Sequence, residues 1–237
     1  MVISRDEIEY KDFLENCKIL NEQGKFINLE EAQNEIWHII DGNLISIKKN
    51  SKYCKKFYEE ICPICYLAKY LGAQSVCLTD DIEGHFSYDA VIKFEDGKEQ
   101  LLECTTAIDG YHNVLRNEHL KKYGYAPCRA KIDFKGTINK REINPSKRNS
   151  YILGNQVRFE ILNNIEKVFL KKKEKNRKEY LNAFLLIVVD CDGMNTAELK
   201  AFIQEESRFI FDDKAPFHRI FLIHKNPQKY VELFSEI

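Results

Sequence analysis

The chain has 237 residues, 44% of them hydrophobic and 31% charged, with a formal net charge of −1 at pH 7. This is enough apolar material for one sizeable core. No run of about eighteen apolar residues occurs, which argues against a membrane span, and the opening Met-Val-Ile-Ser-Arg-Asp-Glu lacks the marks of a secretory signal, so a cytoplasmic protein is expected.

Residues 1–27 mix charged and apolar residues at helical spacing and read as a peripheral segment, leaving 28–237 as a single α/β domain. Asn28 followed by Glu31 forms a capping-box pattern ahead of Leu29, Ala32, Ile36, Ile39 and Ile40, which predicts a helix ending near Asp41-Gly42. Residues 55–71 form a second helical pattern, begun or interrupted at Pro63 and stopped at Gly72. Ser75–Thr79 reads as a first strand. An acidic turn over 80–84 follows, and then a hairpin of Ser87–Phe94 and Gln100–Ala107 around Glu95-Asp96-Gly97-Lys98, because Asp-Gly between alternating apolar runs is a strong hairpin signal.

Further along, a helix is predicted over 111–122, and two β-like pieces around 130–134 and 137–143. A long helix over 155–180 presents a stripe of Val157, Ile161, Ile165, Val168 and Phe169. The run Ala183–Val189 has the length and branching of a strand buried on both faces. A helix near 196–206, a strand over 219–223 and a short terminal helix complete the order. Helices flanking strands in this order predict a three-layer α/β sandwich with a mixed central sheet.

Two acids interrupt the hairpin strands: Asp89 and Glu103. A carboxylate near the buried part of a sheet is costly unless it is paired or holds a cation. The alternating pattern also allows both to face solvent, with Ala90, Ile92, Leu102 and Cys104 turned inward. Residues 111–180 hold 18 Lys and Arg against 7 Asp and Glu, whereas residues 1–110 hold 12 against 21. Such a basic block fits a polyanionic partner; a lysine-rich solvated surface is the plainer alternative.

An Asp followed after thirteen residues by Glu-Cys-Thr within an apolar strand resembles the PD-(D/E)XK nuclease superfamily, over roughly residues 28–108. The resemblance implies a restriction-endonuclease-like fold and a metal-dependent nuclease of a bacterial defence, restriction or repair kind, acting on DNA and in some cases as a homodimer. It implies that Asp89, Glu103 and the backbone carbonyl of Cys104 hold Mg²⁺ or Mn²⁺. Thr105 stands where the superfamily usually has lysine, and a hydroxyl cannot supply that lysine's charge. Lys172, which continues the apolar stripe of the long helix, and Arg116, three residues before His119, are the available cations. Lys171, Lys172, Lys175, Arg116 and His119 are candidate phosphate contacts. Glu35, bordering the face of the first helix, is a candidate further acid, and His85 a candidate substrate contact. If no cation takes the lysine's place, the alternative is an inactive nuclease-like module that binds nucleic acid or protein.

Cys62-Pro-Ile-Cys65, with Cys54 and Cys77, offers four thiols that could hold zinc, but only one pair is closely spaced. Buried packing thiols are the default. Glycine-rich phosphate loops and Gly-x-Ser-x-Gly are absent, which removes the nucleotide-dependent and serine-hydrolase readings.

Overall fold

The computed structural model describes residues 27–28, 57–79, 88–107, 110–125, 132–137, 140–145, 154–175, 180–189, 201, 216–224 and 235–236. In chain order these form β1 (Ile27–Asn28), a π-helical turn (Phe57–Ile61), α1 (Cys62–Tyr70), β2 (Ser75–Leu78), β3 (Ala90–Lys93) and β4 (Glu99–Ala107). They continue with α2 (Gly110–Tyr123), β5 (Phe134–Thr137), β6 (Lys140–Ile143), α3 (Gly154–Lys175), β7 (Phe184–Val189), β8 (Arg219–His224) and β9 (Ser235–Glu236). The fold is mixed α/β.

One mixed sheet runs in the order β1-β2-β3-β4-β7-β8-β9, with five strands of four or more residues between two-residue edges. β2, β3 and β4 form an antiparallel meander, and β4, β7 and β8 are parallel. β5 and β6 make a separate antiparallel pair.

Strand alternation divides the core in two. On one face Val76, Ala90, Ile92, Leu102, Cys104, Phe184, Leu186, Val188, Phe221 and Ile223 pack with α1. On the other, Ala107, Leu185, Ile187, Val189, Ile220 and Leu222 pack with Ile161, Ile165 and Phe169 of α3. β7 is buried along its whole length because it has parallel neighbours on both sides and packed residues on both faces. Each fully buried Leu, Ile or Phe here contributes about 1.5–3 kcal/mol of apolar burial.

α1 follows directly on the π-helical turn, with Pro63 in its first turn, where a missing N–H costs nothing. It closes in a Schellman arrangement: Gly72 takes φ +72°, its N–H donates to Lys69 O (2.9 Å), and the Ala73 N–H donates to Ala68 O (2.9 Å). The β3–β4 turn holds Gly97 at φ +79°, which explains the glycine there.

Several expectations shift. Asn28, expected to cap a helix, lies in an edge strand opposite Ser75; the helix predicted beyond it is outside the described residues. The chain end, expected to be helical, contributes β9 against β8. β6 falls inside the second predicted β-like piece, and β5 starts at the end of the first and runs on to Thr137; Ile132 and Ile143 pack in a small core with Leu115 of α2. The helix predicted over 196–206 is described only at residue 201. No helix among the described residues is long and apolar enough to cross a membrane.

Candidate functional site

β4 organises the site. Leu102 and Cys104 turn toward α1, so alternation directs Glu103 to the opposite face, that of α3. There it is 3% exposed, one of three buried polar residues among those described, with His119 and His224. α3 reaches it because Ile161, Ile165 and Phe169 form a buried stripe at helical spacing, and Lys172 extends that stripe by about one turn. The Lys172 Nζ donates to Glu103 Oε1 in an ion pair. The Tyr180 hydroxyl, from the turn before β7, also hydrogen-bonds to the Glu103 carboxylate.

Asp89 lies one residue before β3, in a bend. Its N–H donates to Leu102 O (3.0 Å), its carbonyl accepts from Thr79 N–H (2.9 Å), and its carboxylate Oδ2 accepts from the Cys104 N–H (2.7 Å). Strand N–H groups lie in the plane of the sheet, so this carboxylate occupies the place of a ladder carbonyl just ahead of the first residue of β3. N–H and C=O of one strand residue point to the same neighbour, which directs the Cys104 carbonyl toward the same edge. Thr105 is half-buried beside them, opposite Ile187 of β7.

The two acids are electrostatically coupled. The Glu103 carboxyl is pushed up to about 7, first by burial and then by the negative charge of Asp89; the ion pair and hydrogen bond from Lys172 and the Tyr180 hydroxyl act against that rise. Burial, then the charges of Asp89, Glu60 and Glu103, raises the Cys104 thiol well above its ordinary range, and its Sγ donates to Glu59 O (3.4 Å).

This donor set fits a small hard cation. A divalent ion beside Asp89 and Glu103 would relieve the repulsion that raises Glu103, and Mg²⁺ commonly binds one or two carboxylates with water and phosphate completing its shell. Among the described residues there is no group of three or more His, Cys, Asp or Glu side chains placed to hold a metal, so the protein side chains offer two ligands and the Cys104 carbonyl a third.

Of the expected cations, the structure brings Lys172 to the acids. α2 packs chiefly on β6, whereas α3 packs on β4 and β7. Arg116 is half-buried on α2. His119 is a correction: it is fully buried, its Nδ1 2.7 Å from Tyr125 O and its ring against those of Tyr123 and Tyr125, so it packs α2 instead of facing a phosphate. Lys171 is exposed, and Lys173 lies over the Phe169 ring. Glu35, His85, Cys54 and the Lys175 side chain lie outside the described residues.

Cys62 and Cys65 are buried in the α1 core with Cys104. Burial first, then Cys65, holds the Cys62 thiol well above its ordinary range, which opposes the thiolate that zinc or redox chemistry needs. Cys77 is half-buried and also raised, by burial first and Glu99 second.

Tyr180 was not legible beforehand. It is one of twelve tyrosines, at the end of a predicted helix, with no motif around it. No protein-family model, curated protein or solved structure matches the chain.

Proposed function

We propose that this protein is a metal-dependent nuclease that hydrolyses phosphodiester bonds, with DNA as substrate, on a three-layer sandwich of the restriction-endonuclease kind. The observation that supports it most is the pairing of Asp89 and Glu103 at the start of β3, with a lysine from a different element against the second acid. Asp89, Glu103 and the Cys104 carbonyl would hold Mg²⁺ or Mn²⁺, and that ion supplies polarisation of the scissile phosphate and a lowered pKa for the attacking water.

The chain's own residues carry the rest. Asp89 and Glu103 set the position of positive charge at the strand end. Lys172 replaces the cation that Thr105 lacks: freed from Glu103, its ammonium offsets negative charge developing on the phosphate. Thr105 offers a hydroxyl as a hydrogen-bond partner on the same face. Lys171, on the exposed side of α3, contributes a phosphate contact whose effect falls with salt. A role in restriction, defence or repair rests on fold-level analogy.

A second reading, a nuclease-like module that binds nucleic acid without cutting it, is favoured by one observation: Lys172 neutralises Glu103 with no metal required. The deciding experiment is cleavage of plasmid and single-stranded DNA with Mg²⁺ or Mn²⁺, comparing wild type with Glu103→Gln and Lys172→Met. The nuclease reading expects each variant to lose about 100-fold or more in rate. Salt-sensitive DNA binding with no cutting by wild type would establish the module instead, and equal cutting by Glu103→Gln would remove the proposed site.

A further inference from the structure

Tyr180 is held more firmly than a turn residue needs to be. It is 3% exposed, and its ring stacks on Phe217 with centroids 5.2 Å apart. Its carbonyl accepts from the Ala183 N–H at 2.9 Å, and the Ala183 carbonyl in turn accepts from His218 N–H at 2.9 Å. Asn182, in the same turn, adopts φ +67°, and its carbonyl accepts a hydrogen bond from Gln100 Nε2 of β4. The turn is therefore fastened to the strand that carries Glu103. A phenylalanine would serve the ring packing equally well. What tyrosine adds is a buried hydroxyl, and its partner is the Glu103 carboxylate.

Resting on the reading of Asp89 and Glu103 as metal ligands, we infer that Tyr180 is a positioning residue whose hydroxyl holds the Glu103 carboxylate in the orientation a divalent cation requires. A glutamate side chain loses substantial rotamer freedom when it is fixed. Two donors from different elements, Lys172 Nζ and the Tyr180 hydroxyl, fix it before any ligand arrives. A carboxylate has about four lone-pair sites, so two remain for a cation. When Lys172 swings to a phosphate, Tyr180 is the donor that stays. Partners of this kind, one step removed from the ion, commonly set metal affinity.

The test is Mn²⁺ binding by calorimetry to the full chain, with no nucleic acid, for wild type, Asp89→Asn, Tyr180→Phe and Phe217→Leu. Tyr180→Phe keeps the ring and its stacking, and should weaken Mn²⁺ binding about 10- to 100-fold with a melting temperature close to wild type. In cleavage assays it should raise the Mn²⁺ concentration for half-maximal rate more than it lowers the saturated rate. Phe217→Leu disturbs the packing and spares the hydroxyl; it should lower the melting temperature and leave Mn²⁺ affinity within a few-fold of wild type. Unchanged Mn²⁺ affinity in Tyr180→Phe, or equal weakening in Phe217→Leu, overturns the inference while the metal site stands. If wild type binds no Mn²⁺, or Asp89→Asn binds it as tightly, the metal-site reading itself fails.

Discussion

The Asp89 carboxylate accepts a hydrogen bond from the backbone N–H of Cys104 at 2.7 Å, so a side chain extends the sheet just ahead of the point where β3 begins. That bond fixes Asp89 beside Glu103, the next residue back along β4, and the two negative charges then oppose each other. Structure and electrostatics can be separated here by mutation.

Asp89→Ala removes the acceptor and should cost about 1–3 kcal/mol, reduced by relief of the repulsion with Glu103. Asp89→Asn retains an acceptor for Cys104 N–H and removes the charge, so its stability should match or exceed wild type above pH 7. Urea unfolding at pH 8 measures both. Equal loss in the two variants would show that the hydrogen bond is not what Asp89 contributes.

Glu103 gives the fold a pH dependence. Its carboxyl titrates at about 7 in the folded protein against an ordinary 4.5, so the folded state binds more protons between those values. Its contribution to stability is full below about 4.5 and is lost as pH rises through about 7. Stability should therefore fall across that window, and Glu103→Gln should flatten the fall. A variant with the wild-type slope would refute this assignment. Proton competition has the same sign for metal: Mn²⁺ affinity should rise as pH rises through the window.

Lys172→Met leaves the buried Glu103 carboxylate with Asp89 and without its ammonium. At pH 8, where Glu103 is mostly ionised, the loss should be on the order of 1–3 kcal/mol. At pH 5 Glu103 is already protonated and the loss should be small. Melting temperatures at the two pH values, wild type minus variant, read the difference directly; an equal shift at both would mean that Lys172 acts only through packing.

Gly97 in the β3–β4 turn and Gly136 in β5 should respond differently to alanine. Gly97 has φ +79° with nothing within 4 Å of an added Cβ, while Gly136 has φ +95° and an added Cβ would lie 2.2 Å from Lys140 O. Gly97→Ala should cost about 1 kcal/mol from the backbone conformation alone. Gly136→Ala should cost more and loosen the β5–β6 pair, visible as faster amide exchange at Glu142 and Asn144, whose N–H groups face β5. Similar costs at both positions would show that β5–β6 yields to the added methyl.

Periodicity and turn chemistry made much of the chain legible. Asp96-Gly97 marked the β3–β4 turn, the run from Phe184 to Val189 marked a doubly buried strand, and the stripe of Ile161, Ile165 and Phe169 marked the buried face of α3. These follow from short-range rules, because a residue's neighbours within one or two turns decide its element and the face it presents. The alternation of β4 also placed Glu103 and Cys104 on opposite faces, but could not say which face was buried; both are.

Tertiary structure decided the pairings. Lys172 meets Glu103 across 69 residues of sequence, because α3 must cover the apolar face of β4 and β7, and that packing sets which helical turn lies over which strand position. Tyr180 reaches the same carboxylate only because the turn before β7 is fastened to β4. His119 was expected beside a phosphate and lies instead between two tyrosines, because a helix's buried side depends on what packs against it. The kind of each element was written locally. Which charged group stands beside which acid was fixed by long-range packing, whose free energy is shared among many buried side chains and has no signature in any short stretch of sequence.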